Sequence, residues 1–257
     1  MAQTVLLDVS GVLYQGSTVI PGAIDALSKL RSAGWQVRCV TNSTRQPKRR
    51  IVGKLQDMGF SLRPEEVFTP VAAALAWLDR TGHSPHLLVH PALEEEFRDC
   101  KTGGPPAVVV GDAGQAFTYE NMNRAFRLLN GGAPLLALAN NRIFLNDDGE
   151  LSLDAGSFVK ALTFASGAEP RLCGKPDPEF FRAAAASAGC PPQQAAMIGD
   201  DAESDVAGAL AAGLAAGYLV RTGKYRDGDE TRYNPAPTAL AADVLEAVEG
   251  ILERNGA

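Results

Sequence analysis

Near its start the chain reads Val5-Leu6-Leu7-Asp8-Val9-Ser10-Gly11-Val12-Leu13-Tyr14, an apolar run that is interrupted by a carboxylate. A short apolar run of this kind is typical of a strand that is buried on both faces of a parallel sheet. In open α/β sheets, ligands bind beyond the carboxyl ends of the strands. Asp8, which ends the first run, is therefore the first candidate for a reacting group.

A strand–helix–strand unit is predicted next. Segment 21–34 begins with proline, ends with glycine and has apolar residues at helical spacing, and the apolar run 37–40 predicts a second strand. Such units place their two strands parallel and side by side. Thr41 and Asn42, which follow the second strand, are therefore expected at the same sheet edge as Asp8.

Two later segments add charged groups at what we predict to be further strand ends. Lys175 precedes a Pro-Asp-Pro run that is typical of a helix start. The apolar run 195–198 is followed by four acidic residues, Asp200, Asp201, Glu203 and Asp205. The helix macrodipole favours one or two acidic residues in a first turn, but four so close raise one another's pKa unless a cation compensates. We therefore favour a metal site, with the macrodipole as the alternative.

The pattern of apolar runs changes between about residues 80 and 170. New runs at 86–90, 107–110 and 135–139 predict further strands with helices between them. We interpret this stretch as an inserted domain. The predicted fold class is α/β, with a Rossmann-like parallel-sheet core over 1–78 and 171–257 and an inserted α/β cap domain over 79–170.

Composition excludes several classes of protein. A net charge of −6 argues against a nucleic-acid partner. No stretch reaches the roughly eighteen apolar residues of a membrane span, and the first residues do not have the pattern of a secretory signal. The four cysteines form no CxxC pair, which suits reduced thiols. We expect a cytoplasmic protein with neither a nucleic-acid nor a membrane partner.

The groups at the predicted strand ends match what phosphoryl transfer requires. Mg²⁺ prefers oxygen ligands and needs only one or two carboxylates. The cation and Lys175 would neutralise a phosphate, while Thr41 and Asn42 would donate hydrogen bonds to its oxygens. A carboxylate oxygen of Asp8 could then attack phosphorus to form an aspartyl-phosphate, which water would hydrolyse.

The same residues resemble the four motifs of the haloacid dehalogenase-like phosphatase superfamily. These motifs are an aspartate nucleophile in DxDx(T/V), a Ser or Thr at a strand end, a lysine, and an acidic GDx₃₋₄D. The corresponding segments here are 8–12, 41–43, Lys175 and 199–205. The insertion between the second and third motifs resembles the family's large α/β cap, so the resemblance spans the whole chain.

The resemblance implies a magnesium site with a catalytic aspartate. Asp8 would be the nucleophile and also a Mg²⁺ ligand. Ser10 would occupy the second catalytic position and ligate the metal through its backbone carbonyl, and Asp200 would ligate it by its side chain. Asp205 and Glu203 would orient these ligands without binding the metal themselves.

The resemblance also implies how the substrate and a partner would bind. A small phosphorylated substrate would be held by Asp8, Ser10, Thr41, Asn42 and Lys175. Relatives with similar caps form homodimers through the cap, so the same assembly is expected here.

Ser10 departs from the family pattern. Most family phosphatases have a second Asp there, which protonates the leaving group. General acid catalysis is typically worth about 10²- to 10⁴-fold, and a serine hydroxyl replaces it poorly at neutral pH. We therefore expect substrates with easily expelled leaving groups, such as pyrophosphate or P–N phosphoramidates of the phospholysine and phosphohistidine type. One alternative is a phosphatase for sugar phosphates, phosphoglycolate or other phosphomonoesters, and another is a phosphate-binding protein that has lost turnover.

Overall fold

A computed structural model describes residues 4–145 and 150–256. Its strands are β1 (Thr4–Asp8), β2 (Tyr14–Gln15), β3 (Thr18–Val19), β4 (Gln36–Val40), β5 (Val67–Phe68), β6 (Ser84–Leu88), β7 (Pro106–Val110), β8 (Leu135–Ala137), β9 (Ile143–Leu145), β10 (Leu151–Leu153), β11 (Pro170–Leu172), β12 (Ala195–Gly199), β13 (Ala216–Val220) and β14 (Ala239–Ala241). Its α-helices are α1 (Ala23–Ser32), α2 (Lys48–Asp57), α3 (Pro70–Thr81), α4 (Tyr119–Asn130), α5 (Ala155–Ser166), α6 (Pro178–Ser187), α7 (Gly208–Ala211), α8 (Asp229–Arg232) and α9 (Val244–Gly256). None of the helices in the described ranges is both long and apolar enough to cross a bilayer.

The chain divides into two units by its internal contacts. The first unit runs up to Thr41, resumes over Lys48–Phe68 and includes the chain from Lys175 onward, and the second comprises Asn42–Pro47 and Thr69–Gly174. The sequence predicted boundaries at 78/79 and 170/171 instead. The first difference arises because the apolar face of α3 is buried in a core of the second unit. The second arises because β11 pairs with β8 of that unit.

The first unit contains a parallel sheet with the order β14-β13-β12-β1-β4-β5. β1 is completely buried and lies between β12 and β4, with Leu7 opposite both Ile198 and Cys39. This arrangement confirms the predicted α/β class and the Rossmann-like sheet. The carboxyl ends of the three central strands lie side by side, and each is followed by polar residues of the predicted site.

Helix α6 begins as the sequence predicts. Asp177 Oδ1 accepts a hydrogen bond from the Glu179 N–H at 2.8 Å, and Pro178 occupies the first turn. Phe180 is buried, and its ring packs edge-on against Phe68 at a centroid distance of 5.4 Å. The Asp177 side chain caps the helix and so fixes its start, and the buried Phe180 ring holds the helix in the core. Both therefore constrain the short loop that precedes the helix.

Lys175 lies in that loop and does not follow a strand of the first unit's sheet. The preceding strand, β11, belongs to the second unit. Lys175 therefore follows a strand end, but that strand belongs to the second unit's sheet, whereas Asp8, Thr41 and Asp200 follow strands of the first unit's sheet. The reason is that the chain returns from the insertion through β11 directly into the segment before α6.

The second unit has its own parallel sheet, with the order β11-β8-β7-β6, and an antiparallel pair, β9 and β10. One apolar core contains side chains of α3, and another contains side chains of α4 and α5. The rings of Phe117 and Phe158 stack with centroids 3.5 Å apart. The runs at 107–110 and 135–139 contribute central strands, as the sequence predicts.

Candidate active site

Three buried carboxylates meet beside the carboxyl end of β1. Asp8 ends β1, Asp200 follows β12, and Asp205 lies one turn further along the chain. Each offers an oxygen that lies within 4.8 Å of the oxygens from the other two. The strand register produces this convergence, because β1 and β12 are parallel neighbours whose ends coincide.

Lys175 is buried with these carboxylates. Its Nζ pairs with Asp8 Oδ1 and lies 2.6 Å from Asp205 Oδ1. Burial lowers the pKa of Lys175, but the attraction of Asp205 and Asp8 outweighs it and raises the pKa above its usual value. The ammonium is therefore charged at neutral pH and is positioned at the nucleophile candidate.

The cluster carries more negative than positive charge. Burial, reinforced by repulsion from Asp205, raises the pKa of Asp200 to about 6. Burial also raises the pKa of Asp205 to about 6 and raises that of Asp8, although Lys175 opposes both shifts. Buried charges are costly unless they are paired. Three carboxylates facing one ammonium therefore favour the binding of a cation.

Asp200 has one oxygen that is satisfied and one that is not. Its Oδ2 accepts a hydrogen bond from the Lys224 N–H at 2.7 Å. Its Oδ1 is buried and has no hydrogen-bond partner among the residues the structure describes. Buried polar atoms are nearly always paired, so this oxygen fits a hard cation that prefers oxygen ligands.

The four acidic residues after β12 separate into different roles. Asp201 caps a wide, π-helical turn, and its Oδ1 accepts from the Ser204 N–H at 2.9 Å and the Glu203 N–H at 3.2 Å. Asp205 Oδ2 accepts from the Asp201 N–H at 3.2 Å. The alternative of an acidic helix start thus fits Asp201, whereas Asp200 and Asp205 belong to the carboxylate cluster. Glu203 is exposed, and the structure does not bring it to that cluster.

Ser10 and Thr41, two further predicted residues, lie in the segments that follow β1 and β4. Ser10 is exposed, two residues beyond Asp8, in a turn that the Gly11 N–H closes on the Tyr14 carbonyl at 2.7 Å. Thr41 follows β4 directly, and its N–H donates to the Phe68 carbonyl at 3.2 Å.

Asn42 belongs to the second unit. A Cβ atom added to Gly174, in the same unit, would lie 2.8 Å from Asn42 Oδ1. Asn42 thus packs against the residue that precedes Lys175, and its role toward phosphate stays a prediction.

Comparison with known proteins identifies the family. Residues 5–102 match the family model for haloacid dehalogenase-like hydrolases, and residues 172–247 match a model described as HAD-hydrolase-like. The human haloacid dehalogenase-like hydrolase domain-containing protein 2 is 41% identical over 251 residues, which cover 98% of this chain and 96% of that protein. The chain belongs to the haloacid dehalogenase-like hydrolase family. The family prediction from the four motifs is confirmed, and the protein is a hydrolase.

Other matches of this hydrolase carry more specific names. Rat phospholysine phosphohistidine inorganic pyrophosphate phosphatase is 41% identical over 255 residues, which cover 97% of this chain and 94% of that protein. The match over nearly the whole of both chains confirms that this chain resembles that relative. A solved 4-nitrophenylphosphatase from Thermotoga maritima superimposes with a TM-score of 0.84 at 27% identity, covering 96% of this chain and 97% of that one.

Sequence reasoning missed the backbone that supports the carboxylates of this hydrolase. A Cβ on Gly199 would lie 2.2 Å from the Cβ of Asp205, so only glycine fits at that position. Gly11, Gly223 and the Lys224 N–H surround Asp200 in a similar way. The available signal was that Gly11 lies three residues after Asp8 and that Gly199 directly precedes Asp200. Spacing alone does not show which carboxylate each glycine contacts.

Proposed function

We propose that this hydrolase is a Mg²⁺-dependent phosphatase that acts through an aspartyl-phosphate formed on Asp8. The observation that carries the proposal is the buried Asp8 carboxylate, which is paired with Lys175 beside the oxygens of Asp200 and Asp205. This arrangement supports a nucleophilic role for Asp8, a phosphate-binding role for Lys175 and a cation site at the carboxylates. The phosphatase names of its relatives support the same reaction class.

The metal would be held by Asp8, Asp200 and the backbone carbonyl of Ser10. The unpaired, buried Oδ1 of Asp200 and the excess negative charge of the cluster support this assignment. Asp205 would stay paired with Lys175 and the Asp201 amide. When bound, Mg²⁺ would neutralise negative charge on the transferring phosphoryl group.

The residues of the chain account for the two steps of the reaction. Lys175, Thr41 and Asn42 would bind the phosphate oxygens and hold the phosphorus in line with Asp8. An oxygen of Asp8 attacks phosphorus, and the bond to the leaving group breaks with its electron pair on that group. Water then attacks the phosphorus of the aspartyl-phosphate and loses its proton to solvent. Inorganic phosphate is released and the Asp8 carboxylate is regenerated.

Hydrolysis of para-nitrophenyl phosphate and pyrophosphate tests this proposal. We expect phosphate release in MgCl₂ and none after metal removal with EDTA. Acid quenching during turnover should trap a phosphoenzyme that hydroxylamine cleaves, as expected for an acyl phosphate. A full rate in EDTA, or hydrolysis without a trapped acyl phosphate, would contradict the proposal.

We also propose that the substrates are pyrophosphate or P–N phosphoramidates. Ser10 stands where an acidic group would protonate a leaving group, and a hydroxyl does this poorly at neutral pH. Substrates whose leaving group departs without a proton from the enzyme are then favoured. The name of the rat relative supports this substrate class.

The Ser10→Asp variant should gain activity on alkyl phosphates. We expect kcat/KM to rise about 10²-fold for an alkyl phosphate, the lower end of general acid catalysis, with little gain for pyrophosphate. Ser10 is exposed, so the longer side chain has room. The measurement is kcat/KM against leaving-group pKa for both proteins. A flat dependence in the wild type, with alkyl esters as good as pyrophosphate, would contradict the substrate proposal.

Mg²⁺ should stabilise the fold more at about pH 7.5 than at about pH 5. The pKa values of Asp200 and Asp205 are about 6 in the folded chain against an ordinary 3.8. The stability that these two carboxyl groups contribute is therefore fully present below pH 3.8, their ordinary pKa, and is lost as the pH rises through about 6. Mg²⁺ binds the deprotonated carboxylates and compensates that loss.

Thermal unfolding in EDTA and in MgCl₂ at both pH values measures this effect. Magnesium at a hundredfold excess over its Kd contributes about 2.7 kcal/mol, which raises Tm on the order of 5–10 °C for a chain of this size. The shift at the lower pH should be clearly smaller. Equal shifts at both pH values would contradict the assignment of Asp200 as a ligand.

The predicted location and assembly are also part of the proposal. All four cysteines are free thiols, which supports a cytoplasmic protein.

The β9–β10 pair and α5 in the second unit expose Ile143, Leu151, Leu153 and Phe164. Exposed apolar side chains of this kind support the predicted homodimer through the cap, and light scattering of the purified chain would give its mass.

A further inference from the structure

A hydrogen bond joins two turns that lie far apart in the sequence. The Thr222 hydroxyl, in the turn after β13, donates to the Gly11 carbonyl, in the turn after β1. These strands are not neighbours in the sheet, because β12 lies between them. The bond therefore spans the end of β12, the position at which Asp200 begins the acidic segment.

The Asp200 carboxylate occupies a slot between two glycines. A Cβ on Gly11 would lie 2.0 Å from Asp200 Oδ2, and a Cβ on Gly223 would lie 1.9 Å from the same atom. Both glycines have positive φ angles, 89° and 65°, which side-chain-bearing residues rarely adopt. Bare backbone on both sides thus leaves just enough room for this carboxylate.

The same turn fixes the rotation of the carboxylate. Oδ2 accepts the Lys224 N–H at 2.7 Å, so that oxygen is held by backbone. The other oxygen, Oδ1, is buried and has no hydrogen-bond partner in the described part of the chain. The Lys224 N–H therefore holds Asp200 Oδ2, and Asp200 Oδ1 is left available to bind a cation.

We propose that Thr222 is a positioning residue for the metal ligand Asp200. Its hydroxyl holds the turn 222–224 on Gly11, which closes the glycine slot and places the Lys224 amide on Oδ2. Groups that orient a ligand in this way typically contribute ten- to a hundredfold in metal affinity. The inference rests on the proposed function only in taking Asp200 as a ligand of Mg²⁺.

A purely structural role for Thr222 makes a different prediction. If the hydroxyl only anchored the turn, its loss would lower Tm equally with and without metal, and the Kd for Mg²⁺ would not change. A positioning role raises that Kd while Tm in EDTA stays close to the wild-type value. Magnesium titration of the full, metal-free chain therefore separates the two.

The first test compares Thr222→Val with Thr222→Ser by calorimetric titration with MgCl₂. Valine keeps the shape and removes the donor, and we expect the Kd for Mg²⁺ to rise about tenfold. Serine keeps the donor and should restore affinity to within about twofold. Thr231→Val is the matched control, because it removes a hydroxyl that donates to another glycine carbonyl, that of Gly228 at 3.1 Å. Wild-type affinity in Thr222→Val, or equal losses in the valine and serine variants, would overturn the proposal.

The second test fills the slot directly. Gly223→Ala places a methyl group on the Asp200 carboxylate, and we expect the Kd for Mg²⁺ to rise at least about a hundredfold. Gly189→Ala is the matched control, because Gly189 has a similar φ of 68° and a Cβ there would meet no atom of the described residues within 4 Å. Both variants carry similar backbone strain. If both lost affinity equally, strain and not the slot would be responsible.

These outcomes are separable from those of the proposed function. If Thr222→Val binds Mg²⁺ like the wild type while Asp8→Asn is inactive, the positioning role fails and the function stands. If Thr222→Val loses affinity while Asp8→Asn keeps full turnover, the positioning role stands and the nucleophile assignment fails. A wild-type chain that binds no Mg²⁺ would overturn both.

Discussion

We expect the replacement of Asp8 by asparagine to lower kcat at least about 10⁴-fold, on para-nitrophenyl phosphate and on pyrophosphate alike. An amide oxygen does not attack phosphorus as a carboxylate does, so the covalent step is lost. Removal of a nucleophile that acts as part of a unit is among the largest single effects in enzymes. The trapped acyl phosphate should disappear together with turnover.

The variant should fold normally. Asparagine has almost the same shape as Asp8, and Lys175 keeps its pair with Asp205 Oδ1 at 2.6 Å. One of three crowded carboxylates is removed, so repulsion within the cluster falls. We therefore expect Tm in EDTA to be unchanged or slightly raised at neutral pH. Loss of activity with an intact fold assigns the effect to chemistry.

Asp25→Asn provides the matched control, since Asp25 is exposed on α1 and takes no part in the proposed site. It should keep wild-type kcat and KM. Phosphate release, acid quenching and thermal unfolding are measured on all three proteins. Turnover by Asp8→Asn within about tenfold of the wild type would exclude Asp8 as the nucleophile.

Much of this site follows from the sequence because parallel sheets impose simple rules. The apolar run before Asp8 predicts a strand buried on both faces, and the strand–helix–strand spacing predicts its parallel pairing with the strand before Thr41. The structure has both features, with Leu7 opposite Cys39. The carboxyl end of a buried strand exposes its next polar residue at a shared edge, so Asp8 could be placed without knowledge of the packing.

The acidic segment shows where such reasoning stops. Asp200, Asp201, Glu203 and Asp205 are equivalent by composition, yet two enter the buried cluster, one caps a turn and one faces solvent. The turn is wider than an α-helix, because the Asp201 carbonyl accepts from the N–H groups of both Asp205 and Val206. Helical spacing therefore does not indicate which side chains point inward.

Long-range contacts are the other part that sequence spacing does not reveal. Thr222 and Gly11 are 211 residues apart, and their hydrogen bond depends on two strands that have β12 between them. The boundary at Phe68 has a similar origin. The apolar face of α3 predicts a buried helix, but it does not predict which of the two sheets the helix covers.

Replacing Lys175 by methionine is expected to abolish turnover and also to destabilise the fold strongly at neutral pH. Methionine is similar in size but lacks the ammonium that pairs with Asp8 and Asp205. Removing one partner of a buried ion pair typically costs about 3–5 kcal/mol, because an uncompensated charge remains. Without Lys175, three buried carboxylates would face one another in the metal-free chain.

The loss of stability should depend on pH with a definite sign. Burial raises the pKa of Asp205 to about 6, even though Lys175 opposes this shift. Removing the lysine raises that pKa further, so the variant carboxyl is protonated and neutral at about pH 5. The difference in free energy of unfolding between wild type and variant is therefore smaller at about pH 5 than at about pH 7.5.

Urea unfolding in EDTA at both pH values measures this difference. Lys29→Met is the control, because Lys29 pairs with Glu249 on the surface and both side chains are 46% exposed. Exposed pairs contribute about 0–1 kcal/mol, so this variant should show a small effect at both pH values. A Lys175→Met variant as stable as Lys29→Met at neutral pH would contradict the charge balance described for the cluster.

The double variant Lys175→Met with Asp205→Asn separates the two roles of Lys175. It removes one ammonium and one carboxylate, so the net charge of the buried cluster returns to the wild-type value. Stability at neutral pH should therefore recover by at least about 1–2 kcal/mol relative to Lys175→Met alone. Activity should not recover, because no ammonium is left to bind the phosphate oxygens beside Asp8. Recovery of turnover together with stability would mean that Lys175 serves only to balance the charge of Asp205, and phosphate binding would then have to be assigned to Thr41 and its neighbours.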